Sequence, residues 1–90
     1  MMKIPNYIIK EAKNRDLLVS IRIGREGVTE SLIKELDSQL RSKTIIKLKA
    51  NKQILGSSEE RKVVFSDIAN STNSFLVFQR GNVAVYWRSR

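Results

Sequence analysis

Residues 1–90 predict a two-layer α/β sandwich: a mixed four-stranded sheet with helices mainly on one face, in the order αβαβαββ. Three observations lead there. The apolar period switches repeatedly between two and about 3.6 residues, as it does where strands alternate with helices. The last two apolar runs are separated only by Gly81-Asn82, a two-residue hairpin signal. The strand segments also alternate polar with apolar residues, so one sheet face is covered and much of the other is left to solvent.

Taken in order, Pro5 suits the first turn of a short helix, where its missing N–H costs nothing. Ile4, Ile8 and Ala12, with Tyr7 beside them, extend a narrow apolar stripe to about Arg15. Leu17, Val19, Ile21 and Ile23 then point one way and Leu18, Ser20 and Arg22 the other, which makes a half-buried strand. From Val28 the period turns helical, with Leu32, Ile33, Leu36 and Leu40 on one face. Thr29 is placed to cap this helix, and Glu30–Lys34 and Asp37–Arg41 pair on its exposed side. Thr44 to Ala50 alternates again, Ile46, Leu48 and Ala50 against Ile45, Lys47 and Lys49. After the loop NKQILG, Ser57 and Glu60 form a capping-box signature. The helix it opens carries Val64, Ile68 and Ala69 inward and frays into NSTNS. FLVFQR and VAVYWR are the closing strands. Strand–helix–strand units imply right-handed crossovers with parallel pairing, to which the hairpin adds an antiparallel element.

Length and composition narrow the function. Ninety residues, 41% of them hydrophobic, make a single domain over residues 1–90 with one core. Lys and Arg outnumber Asp and Glu by 17 to 9, a formal +8 that draws polyanions, nucleic acid foremost. Without Cys or His the chain lacks thiolate and imidazole chemistry, so no enzyme, metal site or cofactor is expected. The cysteine-free composition fits a cytoplasmic setting. The stretch MMKIPNYIIKEAKNR, broken by Pro5 and soon charged, reads as neither signal peptide nor membrane span.

The segment Gly24-Arg25-Glu26-Gly27, between a strand and a helix, is the feature that invites a functional reading. A dinucleotide-binding loop needs a third glycine and a downstream acidic residue, and a Walker loop ends in Gly-Lys-Ser/Thr; this loop has neither. Two readings stay open. The glycines can simply make a tight turn. Alternatively they let main-chain N–H groups approach a phosphate at a helix N-terminus, with Arg25 adding charge and Glu26 turned aside to cap the helix. Arg22, Lys47 and Lys49 share one parity of two neighbouring strands, and Lys43, Lys52, Arg80, Arg88 and Arg90 lie at or beyond strand ends. No acidic residue of these strands shares that face. In the closing strand Trp87 shares parity with Val83 and Val85 and is assigned to the core, leaving Tyr86, beside Arg88, as a candidate to stack on a base. The same positive charge would also serve a module that docks on an acidic protein partner.

Three segments carry a family resemblance: IGREGVTE at residues 23–30, TIIKLK at 44–49 and GNVAVYWR at 81–88. In order and spacing the chain resembles the CRM (chloroplast RNA splicing and ribosome maturation) domain and its small YhbY-like members, from about Pro5 to Arg88. The resemblance implies a fold similar to the C-terminal domain of translation initiation factor three. It also implies a KH-like GxxG loop that contacts RNA backbone, although a KH domain proper has that loop between two helices. The implied role is non-enzymatic RNA binding in ribosomal large-subunit assembly or in splicing. The implied partners are structured ribosomal or precursor RNA and ribosomal particles. The residues marked for RNA contact are Arg22, Gly24, Arg25, Glu26, Gly27, Lys47, Lys49, Lys52, Arg80, Tyr86 and Arg88.

Overall fold

The computed structural model describes residues 4–51 and 56–89. Its elements are α1 (Asn6–Lys13), β1 (Val19–Ile23), α2 (Glu30–Lys43), β2 (Ile45–Ala50), α3 (Ser58–Ser71), β3 (Phe75–Arg80) and β4 (Val83–Trp87). This is the αβαβαββ order that the alternating periods predict.

The two long helices begin at the caps expected of them. Thr29 Oγ1 accepts from the Leu32 N–H at 3.1 Å, and Ser57 Oγ accepts from the Glu60 N–H at 3.2 Å. Each bond satisfies a donor that the first helical turn would otherwise leave open. Thr29→Ala should therefore cost about 1 kcal/mol, seen as a lower urea midpoint at unchanged slope. On the exposed side of α2, Glu30 reaches Lys34 at 3.9 Å and Asp37 reaches Arg41 at 3.1 Å. The end of α3 does not fray: Thr72 is buried and its hydroxyl donates to the Ile68 carbonyl at 2.9 Å. At α1, Pro5 stands one place earlier than expected. It is the extended N-cap residue, and its carbonyl accepts from the Ile8 and Ile9 N–H groups at 3.1 and 3.2 Å.

The strands form one sheet in the order β1-β2-β4-β3. β1 and β2 are parallel, and β4 runs antiparallel to both β2 and β3. Ile21 and Ile23, Ile46, Leu48 and Ala50, and Ala84 and Tyr86 cover one face of it. They pack against Leu36 and Leu40 of α2 and against Phe65, Ile68 and Ala69 of α3. Phe65, fully buried, is a core residue that the helical spacing of Val64, Ile68 and Ala69 left unmarked.

The other face is not simply wet. α1 packs across β2, β3 and β4, and its Ile8 and Ala12 are buried outside the main core. Val85 and Trp87, on the parity opposite Ala84 and Tyr86, are buried there, with Phe75 stacked on Trp87 at a centroid distance of 5.6 Å. This corrects the reading of the closing strand. Both parities of the central strand β4 are covered, so alternation gave no sign of which side was open. Trp87 is indeed buried, but beneath α1. Tyr86 lies in the main core with no exposure, and its hydroxyl donates to the Phe65 carbonyl at 2.9 Å. It cannot reach a base while the domain is folded.

Candidate functional site

β1 ends at Ile23, and the chain turns at once: the Gly27 N–H donates to the Gly24 carbonyl at 3.0 Å. The two glycines differ. Gly27 has φ +71, a conformation that side-chain-bearing residues rarely adopt, so the turn itself accounts for it. Gly24 has no positive φ, and among the described residues a Cβ built on it would meet nothing within 4 Å. Neither backbone conformation nor packing among the described residues requires glycine at position 24. Its bareness faces outward. Among the described residues the amides of Arg25 and Glu26 have no acceptor, whereas the Gly27 amide is committed to the turn. Glu26 does not cap α2; Thr29 does, and the exposed Glu26 borders the loop instead.

Arg22 and Lys49 are register partners across β1 and β2, so their side chains rise from the same face as direct neighbours. Like charges placed directly opposite each other destabilise a strand pair. Among the described residues, the only ion pairs tie Lys34, Arg41 and Arg88 to Glu30 and Asp37 of α2. The cations near the loop have no such relief. Two depressions of about 380 and 370 Å³ flank Arg22 and Gly24. Lys49 and Asn51 line the first; Arg25, Glu26, Gly27 and Thr29 line the second. The first lies at the C-terminal ends of the parallel strands β1 and β2, the position at which open α/β sheets receive ligands, and the second lies between the end of β1 and the start of α2.

The residues marked from the sequence thus divide. Arg22, Gly24, Arg25, Glu26, Gly27 and Lys49 come together. Lys47, half-buried, stands further along the same sheet face and joins Arg80 at a smaller depression. Lys52 lies outside the described residues. Arg88 is turned inward: its Nη2 donates to Asp37 Oδ1 at 2.6 Å and to the Thr72 carbonyl, and the side chain is 20% exposed. It ties the end of β4 to α2 and α3, a structural link in place of the expected RNA contact. Two cations that the sequence reading passed over, Lys13 and Arg15, border the Lys47–Arg80 depression. They follow directly on the apolar stripe of α1, but the stripe alone could not say which sheet face that helix would cover.

The Arg88 hydrogen bond, helped by the charges of Arg41 and Arg88, holds the Asp37 carboxyl below its ordinary value of 3.8. A carboxylate whose folded pKa is depressed contributes its stability above the unfolded pKa and loses it as pH falls through the folded one. The urea midpoint should accordingly drop on acidification below about pH 3.8, and Asp37→Asn should lose part of that acid dependence. A parallel decline in parent and variant would remove the ion pair from the account.

Among the described residues no helix is long and apolar enough to cross a membrane, and no three His, Cys, Asp or Glu residues are grouped to hold a metal ion. A profile of the CRS1 / YhbY (CRM) domain matches residues 7–88. Among solved structures, the chain is similar to a hypothetical protein from Staphylococcus aureus, determined in solution and described as a candidate RNA-binding protein. The two share 24% identity at a TM-score of 0.70, over 83% of this chain and 75% of that one. At that identity the likeness is one of fold. No curated protein matches the sequence significantly.

Proposed function

The chain belongs to the CRS1 / YhbY (CRM) domain family, and from that premise we propose that it is a non-catalytic RNA-binding module gripping RNA backbone at the Gly24–Gly27 loop. The observation that carries the proposal is the juxtaposition of Gly24, bare without cause among the described residues, with an Arg22–Lys49 pair that no described carboxylate relieves. A phosphodiester suits both: the open amides of Arg25 and Glu26 can donate to its oxygens while the two cations neutralise its charge. Bases are read little in this arrangement, because the groups at the site are main-chain amides and long cations. The description of the Staphylococcus aureus protein as a candidate RNA binder points the same way. The proposed setting is cytoplasmic, on structured ribosomal or precursor RNA, with assembly of the large ribosomal subunit as the role and RNA maturation more broadly as its wider class.

Binding of single-stranded or looped RNA through about four to six phosphates should make log affinity fall with log salt at roughly −0.7 per contact. Anisotropy titrations across a salt series measure that slope. A flat series would overturn the proposal. So would protein purified without nuclease that carries an acidic protein in place of RNA.

A further inference from the structure

Register places Arg22, Lys49, Val83 and Arg80 in one row across β1, β2, β4 and β3. At about 4.8 Å per strand spacing, the row carries two cations at one end and a third roughly 14 Å from Arg22 at the other. The next row holds Lys47, Val85 and Phe78. α1 lies over this face, and the end of the helix comes down beside that last stretch. Lys13 and Arg15 there close a depression of about 180 Å³ with Lys47, Phe78 and Arg80. No described carboxylate is ion-paired with any of the four cations. The helix dipole accounts for Lys13, in the last turn of α1. It does not account for Arg15, which lies beyond the helix, nor for two strand residues drawn to the same spot.

We infer that this depression is a second phosphate-binding subsite, and that an RNA strand held at the Gly24 loop continues across the sheet face into it. The inference rests on the RNA-binding reading and adds a direction to it: from the C-terminal end of β1, past Lys49, to the far edge strand. Phe78 is half-buried in the same depression and replaces Tyr86 as the aromatic ring available to a base.

Oligonucleotides of two lengths test the path. Sheet-based single-strand binders cover about 4 to 16 nucleotides, so a uridine oligomer of about 4 should fill only the loop site and one of about 12 should reach both. Lys13→Ala with Arg15→Ala, both exposed and off the strands, should leave folding intact. The double variant is expected to weaken the longer oligomer roughly tenfold, and to flatten its salt slope by about 1.4, while leaving the shorter one unchanged. Lys34→Ala with Lys62→Ala removes the same charge from the helices and should move neither. Phe78→Leu, which keeps apolar bulk, should weaken the longer oligomer at least about fivefold. If Gly24→Glu abolishes binding while the Lys13/Arg15 variant binds both lengths like the parent, the path is overturned and the loop site stands. An equal loss at both lengths, or an equal loss in the Lys34/Lys62 control, would reduce the subsite to net charge and overturn it too. A parent protein that binds neither oligomer would remove both the inference and the reading beneath it.

Discussion

Gly24→Glu is expected to leave the protein fully folded and to lower its affinity for RNA by about 1.5 to 3 kcal/mol, the range of a charge-assisted hydrogen bond. The folding half follows from the backbone. Position 24 has no positive φ, and a new Cβ meets no described residue within 4 Å. The added carboxylate lands beside Arg22 and Lys49, where it relieves the repulsion between them, so stability should hold or rise slightly. The binding half follows from the same geometry, because the carboxylate then sits where a phosphate would and repels it. Position 27 cannot separate the two effects so well. Its φ of +71 strains any substitution, and its amide is already spent on the turn. Gly24→Ala completes the series: by restricting the unfolded chain it should add about 0.4 to 1 kcal/mol of stability, and without a charge it should lose less affinity than the glutamate. Thermal melts by circular dichroism report the first quantity and anisotropy titrations the second. A well-folded Gly24→Glu protein that binds RNA like the parent would leave the loop as a turn and nothing more.

What the sequence made legible here was whatever depends on neighbours along the chain. The parity of Ile46, Leu48 and Ala50 against Lys47 and Lys49, the caps at Thr29 and Ser57, and the two-residue turn at Gly81-Asn82 are all local, and each stands as expected. The cluster of Arg22, Gly24, Arg25, Gly27 and Lys49 was legible for the same reason, since one parallel register brings β1 and β2 together. The misreadings arose where a distant element decides. Whether Tyr86 or Trp87 faces the main core depends on which side α1 chooses, and an eight-residue helix with a narrow stripe carries no record of that choice. Arg88 looked like a free cation at a strand end because its partner, Asp37, is 51 residues away and already reads as the mate of Arg41. A carboxylate shared by two arginines is invisible to i,i+4 counting.

Tyr86→Ala should have the largest effect on stability, about 3 to 5 kcal/mol, the cost of emptying a large buried aromatic site. For a domain of this size the whole stability is of order 5 to 13 kcal/mol, so the variant loses about a quarter of it or more and melts roughly 12 °C lower or beyond. Tyr86→Phe separates packing from hydrogen bonding. It keeps the ring and removes only the donor to the Phe65 carbonyl, and that carbonyl retains its place in the α3 ladder. The expected cost is therefore the ordinary net value of one hydrogen bond, about 0.5 to 1.5 kcal/mol. The phenylalanine variant also carries a pH signature. Burial pushes the Tyr86 hydroxyl far above its ordinary value of 10.0. In the unfolded chain the phenol ionises near that ordinary value while the folded one stays protonated, so stability is whole below it and falls as pH rises past it. Tyr86→Phe should be less sensitive to alkali than the parent, a difference that lysine titration, common to both proteins, cannot produce. Its folded fraction should bind RNA with parental affinity, because a ring sealed between the sheet and α3 touches no base. A Tyr86→Phe protein with parental stability and severalfold weaker RNA binding would put the ring on the surface, and with it would reverse the assignment of the two faces of β4.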